Sequence, residues 1–202
     1  MAKDIHTQQE RSHTPETIKP FVDFYNKHNV IPVSQDIADL DNFVFRRNFL
    51  YSRLGAPLRQ FHDRRVIEFG PGGGFNAVAT SLHRPELYVF VDASQASLLE
   101  LDRKKSNNQF RAKNIEIIDS NIFDYSDDRK FDFVIVEGTI CGQAEPERML
   151  RHVASFVNES GILITTAISA ASVLSEVCRR LLRIKISETS NGFDAQVRFA
   201  SK

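Results

Sequence analysis

The sequence predicts an α/β protein built on a mostly parallel sheet and preceded by a helical extension. From residue 65 onward, short apolar runs alternate with stretches of helical character, a pattern typical of βαβ units. The length of 202 residues suits one domain plus an extension. A hydrophobic content of 42% with 26% charged residues is ordinary for a globular protein with a sizeable core.

The first sixty residues divide into two predicted parts. Residues 1–14 are polar and lack periodicity, so we expect a flexible tail. Residues 15–62 are expected to form a helical lead-in that covers a pocket of the domain that follows. Residues 63–202 would form that domain.

Two helices are predicted within the lead-in. In the first, four side chains recur at helical spacing on one face: Phe21, Phe24, Tyr25 and His28. Asp39 or Asp41 can cap the second helix, and Gly55 ends it. Arg46 and Arg47 are expected on its solvated face. The predicted apolar stripe of this helix consists of Phe43, Leu50 and Leu54.

The remainder of the chain predicts five strands, at residues 66–68, 87–92, 115–119, 133–137 and 162–166. Helices are predicted at residues 75–82, at residues 95–105 with Ser94 as cap, and at residues 146–157 with Pro146 in the first turn. A further helix follows the fifth strand. Two alternating runs at residues 184–187 and 196–199, joined by Asn191 and Gly192, then predict an antiparallel hairpin.

Charge and cysteine content limit the classes of partner. The 26 basic and 26 acidic residues give a net charge of zero, so no broad positive surface for nucleic acid or an anionic membrane is expected. Cys141 and Cys178 have no metal-ligand spacing and cannot form a disulfide framework. The first residues lack an apolar stretch of the length that a signal peptide needs, and no run approaches ~18 apolar residues, so neither a signal peptide nor a transmembrane helix is expected. We therefore expect a cytoplasmic protein without a metal site, a membrane partner or a nucleic acid partner.

The first predicted strand runs into a glycine-rich turn that opens a helix. Such a turn brings backbone N–H groups close to a ligand, although by itself it can simply join a strand to a helix. It is not the dinucleotide pattern G-x-G-x-x-G, because Phe75 stands at the third glycine position. Glu68 precedes the turn, where its charge would repel a pyrophosphate and favour a cationic ligand. Asp92 lies 22 residues beyond Gly70, close to the ~20 expected for a carboxylate that binds ribose hydroxyls.

These residues resemble the class I S-adenosylmethionine-dependent methyltransferases. The first motif of that family, an acid-x-Gly-x-Gly-x-Gly turn, is matched by Glu68, Gly70, Gly72 and Gly74. The resemblance covers about residues 65–201. It implies a three-layer α/β/α, Rossmann-like fold with a seven-stranded, mostly parallel sheet, in which the antiparallel terminal hairpin supplies the reversed seventh strand.

The resemblance also implies a cofactor site for S-adenosylmethionine. This molecule needs a carboxylate near its ammonium, a second at its ribose and an apolar slot for its purine. In the motif after the third strand, Asn121 departs from the family's acid but its amide oxygen can still accept from adenine, and Asp119 is the alternative if the register differs by two. The predicted cofactor-binding residues are Glu68, Phe69, Gly70, Pro71, Gly72, Gly74, Asp92, Ala93, Asn121, Ile122 and Glu137.

The resemblance implies methyl transfer, which depends mainly on positioning the nucleophile and excluding water. Glu137, after the fourth strand, is the candidate general base or orienting group, and its alternative is a strand end without a catalytic role. Arg46 and Arg47 are alternatively placed to hold an anionic acceptor or the carboxylate of the cofactor. Sequence motifs of methyltransferases that act on nucleic acid are absent, which favours a small-molecule or glycan acceptor. A non-catalytic module that binds S-adenosylmethionine or S-adenosylhomocysteine is the competing hypothesis.

Overall fold

A computed structural model describes residues 19–32, 34–167 and 169–189 of the chain. The contacts divide the chain into two compact units, one ending at Thr166 and one beginning at Ala167. In chain order the first unit contains α1 (Lys19–His28), α2 (Leu40–Arg53), β1 (Arg65–Phe69), α3 (Phe75–Ser81), β2 (Leu87–Asp92), α4 (Gln95–Ser106), β3 (Asn114–Asp119), β4 (Phe131–Val136), α5 (Pro146–Ala154) and β5 (Val157–Thr165). The second unit contains α6 (Ala170–Thr189). The predicted tail at residues 1–14 lies outside the described residues.

The five strands form one parallel sheet in the order β3-β2-β1-β4-β5. The prediction of an α/β protein with a parallel sheet is therefore confirmed. The chain first builds outward from β1 to β3 and then crosses back to place β4 beside β1. The point at which strand order reverses lies between β1 and β4, and ligands of open α/β sheets bind beyond the carboxyl ends of the strands at such a point.

Side chains that alternate along the strands build a core on each face of the sheet, which explains why the strands read as continuous apolar runs. On one face, Phe69 and Val91 pack with Met149 and Val153 of α5. On the other face, buried strand residues pack with residues of α2, α3 and α4: Val66, Tyr88, Phe90, Tyr51, Ala77 and Leu101. The helices thus cover both faces, as a three-layer arrangement requires.

The predicted helix at residues 146–157 is shorter in the structure. It ends at Ala154, and Val157 already pairs with Phe131 of β4. The next pair joins Phe133 to Ile162, so β5 carries extra residues at an irregularity. Gly161 lies in this bulge, where a Cβ atom would come within 2.8 Å of the Phe131 carbonyl oxygen. The glycine therefore permits the strand to fold back into register.

Both predicted helices of the lead-in are present, but the second buries a different face. Asp39 caps α2 by accepting a hydrogen bond from the backbone of Asn42 at 3.0 Å. The buried side chains of α2 are Phe43, Arg47 and Tyr51. The predicted stripe was wrong beyond its first residue, since Leu50 and Leu54 are 47% and 60% exposed. The prediction that Arg47 lies on the solvated face was also wrong.

The terminal hairpin is not confirmed. Residues 184–187, predicted as its first strand, continue α6, so that prediction was wrong. Alternation over four residues also fits a helix, and no glycine or proline interrupts the chain between α6 and Gly192. Asn191, Gly192 and residues 196–199 lie outside the described residues. The described sheet has five of the seven expected strands. Within the same described ranges, no helix is both long enough and apolar enough to cross a membrane.

Candidate active site

A cavity of about 380 Å³ opens beyond the carboxyl ends of β1, β2, β3 and β4. Its volume is within the range of ~300–1,000 Å³ that is usual for small-ligand sites. The segments that follow the strands form its floor, and residues from α1 and the segment after it form part of its wall. These wall residues are Val22, Tyr25, Pro32 and Gln35. The cavity therefore lies at the strand-order reversal, where the topology favours a ligand.

The turn between β1 and α3 depends on its glycines. Gly70, Gly72 and Gly74 have φ angles of +67°, +55° and +70°, which L side chains rarely adopt. A Cβ atom at Gly70 would lie 2.8 Å from Thr139 Oγ1, at the cavity, whereas one at Gly74 would lie 2.6 Å from Leu101 Cδ2, in the core. The first glycine thus keeps the cavity open, and the third lets α3 approach α4.

Two predicted cofactor residues do not reach the cavity. Gly74 faces α4, as described above. Phe69 is fully buried against Tyr125 and Phe156, with ring centroids 5.7 and 5.5 Å away. Successive side chains of a strand point to opposite faces, so Glu68 can line the cavity only if Phe69 points into the core behind it. The other nine predicted residues all line the cavity: Glu68, Gly70, Pro71, Gly72, Asp92, Ala93, Asn121, Ile122 and Glu137.

Glu68 is a buried carboxyl group at the back of the cavity. Only 3% of the residue is exposed, and the Tyr88 hydroxyl donates a hydrogen bond to its Oε2 at 2.5 Å. Burial, together with the nearby charge of Glu137, raises the pKa of Glu68 to about 7. The site therefore holds a carboxyl group whose charge state changes near neutral pH.

Asp92 is fixed at the end of β2 by backbone N–H groups. Gly72 and Ser94 donate to its two carboxylate oxygens at 3.1 and 2.9 Å. Burial raises the pKa of Asp92 to about 6, although these N–H groups oppose the shift. A carboxylate offers about four lone-pair positions. Asp92 therefore keeps capacity to accept from the hydroxyl groups of a ligand.

The segment after β3 contributes Asn121 and Ile122 to the cavity. The Asn121 side-chain oxygen accepts from the Phe123 backbone at 3.0 Å, which fixes the amide. Asp119, the alternative for the same role, is not among the lining residues and instead accepts from Gln95 Nε2 at 2.9 Å. The geometry thus brings Asn121, and not Asp119, into the cavity.

Glu137 follows β4 and is surrounded by donors. Arg47 approaches with Nη2 at 2.7 Å from Oε2 and Nη1 at 3.2 Å from Oε1. The Tyr51 hydroxyl donates to Oε1 at 3.1 Å, and Asn76 Nδ2 donates to Oε2 at 3.3 Å. These four contacts fill the lone pairs of the carboxylate. Because Arg47 is only 7% exposed, this is a buried ion pair between the lead-in and the sheet.

The sequence interpretation missed several polar residues at this end of the cavity. Gln35 Nε2 donates to Asn76 Oδ1 at 3.2 Å, and Gln143 Nε2 donates to the Thr139 carbonyl at 3.2 Å. The sequence contains one signal for the buried face of α2, since Phe43, Arg47 and Tyr51 are spaced four residues apart and therefore lie on one side of the helix. The remaining lining residues outside the predicted set are Phe75, Ser94, Ser120, Gly138, Thr139 and Gly142.

No group of three or more acidic, histidine or cysteine side chains able to hold a metal occurs in the described part of the chain. Three carboxyl groups, from Glu68, Asp92 and Glu137, do line the cavity, but they do not form such a cluster. Lysine, arginine and histidine are absent from its described lining. Its electrostatics therefore suit a ligand with positive charge.

The fold is that of the class I S-adenosylmethionine-dependent methyltransferases, as the resemblance of the first strand and its turn predicted. A family model described as a methyltransferase domain matches residues 44–191. Because this match spans most of the chain, the chain belongs to that family. S-adenosylmethionine is the cofactor of the class. A sequence search of curated proteins finds no match.

Solved structures share the fold at low identity. Magnesium protoporphyrin IX methyltransferase from Synechocystis PCC 6803 matches with 16% identity and a TM-score of 0.57 over 79% of this chain and 77% of its own. PKMT2 from Rickettsia typhi matches with 18% identity and a TM-score of 0.58 over 71% of this chain and 28% of its own. A methyltransferase from Thiobacillus denitrificans, at 20% identity and a TM-score of 0.48, matches over 63% of this chain. The chain spans about half the length of that protein, 53%.

Proposed function

We propose that this protein binds S-adenosylmethionine in the cavity and transfers its methyl group to a small-molecule or glycan acceptor. The observation that carries the proposal is the convergence of Glu68, Asp92 and the β1 turn on one cavity. The cofactor carries a sulfonium and an ammonium against one carboxylate, and a lining with acids and no described basic side chain suits that charge. The residues that line the cavity therefore fit the cofactor.

Each part of the cofactor has a candidate partner. Asp92 would accept from the ribose hydroxyls through its remaining lone pairs. Asn121 and Ile122 would border the adenine, one with an amide and the other with an apolar surface. Glu68, with the backbone of Gly70, would face the positively charged methionine end. When bound, the cofactor supplies a methyl group activated by a positively charged sulfur.

The residues of the chain contribute mainly orientation and exclusion of water. Val22 and Tyr25 of α1 border the cavity and would shield the methyl group from solvent. Glu137 would act as a positioning residue and not as a general base, because four donors already occupy its oxygens. This assignment refines the role that its position after β4 predicts.

The acceptor is proposed on charge and size. A net charge of zero and a cavity of about 380 Å³ favour a compact acceptor over nucleic acid. Cys141 and Cys178 are free thiols, which fits the reducing cytoplasm where we place the activity.

A non-catalytic cofactor-binding module is the second candidate function. The hydrogen bonds of Glu137 favour this second function, because four donors already occupy the carboxylate and leave it no free position to take a proton from a methyl acceptor. Both functions require S-adenosylhomocysteine binding. Incubation with methyl-labelled S-adenosylmethionine and a small-molecule extract distinguishes them, because a labelled product excludes the non-catalytic module.

The cofactor assignment is tested by titration calorimetry with S-adenosylhomocysteine. Asp92→Ala and Asp92→Asn should each weaken binding by about 1 kcal/mol or more, the usual cost of a lost hydrogen-bond partner. Asp119→Ala is the matched control, because Asp119 is the register partner of Asp92 on β3 but lies outside the cavity lining. Its affinity should equal that of the wild type. Unchanged binding by the Asp92 variants would remove the assignment.

A further inference from the structure

The orientations of two amide side chains at the Glu137 end of the cavity follow from the carboxylate. An ionised carboxylate only accepts hydrogen bonds, so Asn76 must present its Nδ2 group to Glu137. Asn76 Oδ1 then faces Gln35, which must present its Nε2 group. This sequence of donors leaves Gln35 Oε1 as an acceptor without a described partner. Through Asn76, Glu137 thereby fixes the orientation of the Gln35 side-chain amide, which lines the cavity.

Gln143 provides a second acceptor in the same cavity. Its Nε2 group donates to the Thr139 carbonyl at 3.2 Å. Its Oε1 atom is buried and has no hydrogen-bond partner within the described part of the protein. An unpaired buried carbonyl is costly, so a rotation of the Gln143 side chain that turns this atom toward a ligand N–H or O–H in the cavity is favoured.

The charges of the residues that line the cavity indicate which class of methyl acceptor fits it. Glu68, Asp92 and Glu137 are acidic, and the described lining has no basic side chain. The guanidinium of Arg47 is already paired with Glu137. A carboxylate or phosphate acceptor would therefore meet like charges without a compensating cationic side chain in the described lining. A neutral amine meets no charge repulsion, and its nitrogen keeps the lone pair that methyl transfer requires.

We propose that the methyl acceptor is a small amine, and that Gln143 Oε1 and Gln35 Oε1 are the atoms that recognise its N–H groups. Two donated N–H groups leave the nitrogen lone pair for the methyl group. The N–C bond forms as the C–S bond breaks, the electron pair of that bond remains on the sulfur of S-adenosylhomocysteine, and the ammonium product releases a proton to water. The inference rests on the proposed function and narrows its acceptor to a chemical class.

The first experiment locates the transferred methyl group. The full chain is incubated with methyl-labelled S-adenosylmethionine and a small-molecule extract, and labelled products are identified by mass spectrometry and NMR. An N-methylated amine supports the proposal. An O-methyl or S-methyl product would overturn the amine class while leaving the transferase function intact. The absence of any labelled product from a protein that binds S-adenosylhomocysteine would overturn both.

The second experiment uses the amine that the first experiment identifies, together with two matched variants of the protein. Gln143→Met retains side-chain length but removes the acceptor, and it should raise the KM for the amine at least about five-fold. Its Kd for S-adenosylhomocysteine should stay within about two-fold of the wild-type value. Gln109→Met is the control, because Gln109 Oε1 is also buried and unpartnered but is outside the cavity lining. This control should change neither constant.

The same two constants separate the amine acceptor from the ammonium of the cofactor, which offers similar donors. Equal weakening of amine and S-adenosylhomocysteine binding by Gln143→Met would assign Gln143 to the cofactor and overturn the proposal. An unchanged KM would overturn it as well. Gln35→Met provides an independent variant on a different segment, and it should also raise the KM for the amine while thermal unfolding remains cooperative.

Discussion

Replacement of Glu68 by glutamine should remove most of the pH dependence of S-adenosylmethionine binding. In the free protein, burial raises the pKa of Glu68 to about 7, so the group is largely protonated below neutral pH. A cationic cofactor favours the ionised form, and the protein must release this proton to bind it. Affinity should therefore rise with pH, a linkage that glutamine cannot show.

The magnitude follows from the pKa values of the two carboxyl groups. At pH 6 a group with a pKa of about 7 is about nine-tenths protonated, which weakens binding about ten-fold relative to pH 8. Asp92, with a pKa of about 6, adds about two-fold. Wild-type affinity should thus increase about 20-fold between pH 6 and pH 8. The Glu68→Gln variant should show only about a two-fold increase.

Titration calorimetry at pH 6, 7 and 8, in buffers of different ionisation enthalpy, measures both the affinity and the protons released. Any change in the protonation of the ligand affects the wild type and the variant equally. The difference between their pH dependences of affinity therefore reports on Glu68. Equal pH dependence in both proteins would refute the reasoning. Circular dichroism at each pH verifies that the glutamine variant retains its fold.

The same pKa also affects stability. Because the folded-state pKa of Glu68 exceeds its ordinary value of 4.5, the folded protein binds a proton that the unfolded chain has already lost between pH 4.5 and about 7. The free energy of unfolding therefore falls as pH rises through this window, by up to about 3 kcal/mol at about 1.4 kcal/mol per pH unit. Asp92, whose pKa is raised to about 6, contributes a similar decline at lower pH, so thermal unfolding of Glu68→Gln should lack the part of the decline that lies between about pH 6 and about pH 7.

Two further variants test the packing around the cavity. Arg47→Ala leaves the Glu137 carboxylate buried without its cation and should lower the free energy of unfolding by about 3 kcal/mol in urea denaturation. Combining Arg47→Met with Glu137→Gln should cost less than the sum of the two single changes, and strict additivity would contradict a coupled pair. Gly74→Ala combines a positive φ with a clash against Leu101 and should lower the Tm more than Gly55→Ala, where φ is also positive but no heavy atom lies within 4 Å. Equal losses of Tm would show that the clash is relieved without cost.

Local patterns were sufficient to predict the sheet and the glycine turn. Apolar runs predict strands because a parallel sheet buries both faces, and the turn needs glycine because its φ angles are positive. Asp92 follows from the same logic, since the ends of neighbouring parallel strands meet at one edge. Strand alternation also separates Glu68 from Phe69, so the exclusion of Phe69 from the cavity was available from the sequence.

Longer-range choices were not available from local patterns. In α2 the sequence offered two stripes that share Phe43, and the more apolar one was the wrong choice. The partner that favours Arg47 on the buried face is Glu137, 90 residues away in the chain. At the other end, the alternation of residues 184–187 is too short to distinguish a strand from the continuation of α6.

The sequence by itself determined the α/β class, the turn and the acids near the carboxyl ends of β1 and β2, because these features depend on periodicity and on neighbours within one βαβ unit. Only the tertiary structure decided the charge balance of the cavity. A buried cation is stable only beside its counter-ion, and the fold brings Arg47 to Glu137 from a distant helix. That pairing engages both side chains, so neither is expected to act directly on a ligand, and Gln35 Oε1 and Gln143 Oε1 remain as acceptors without a partner in the described part of the chain.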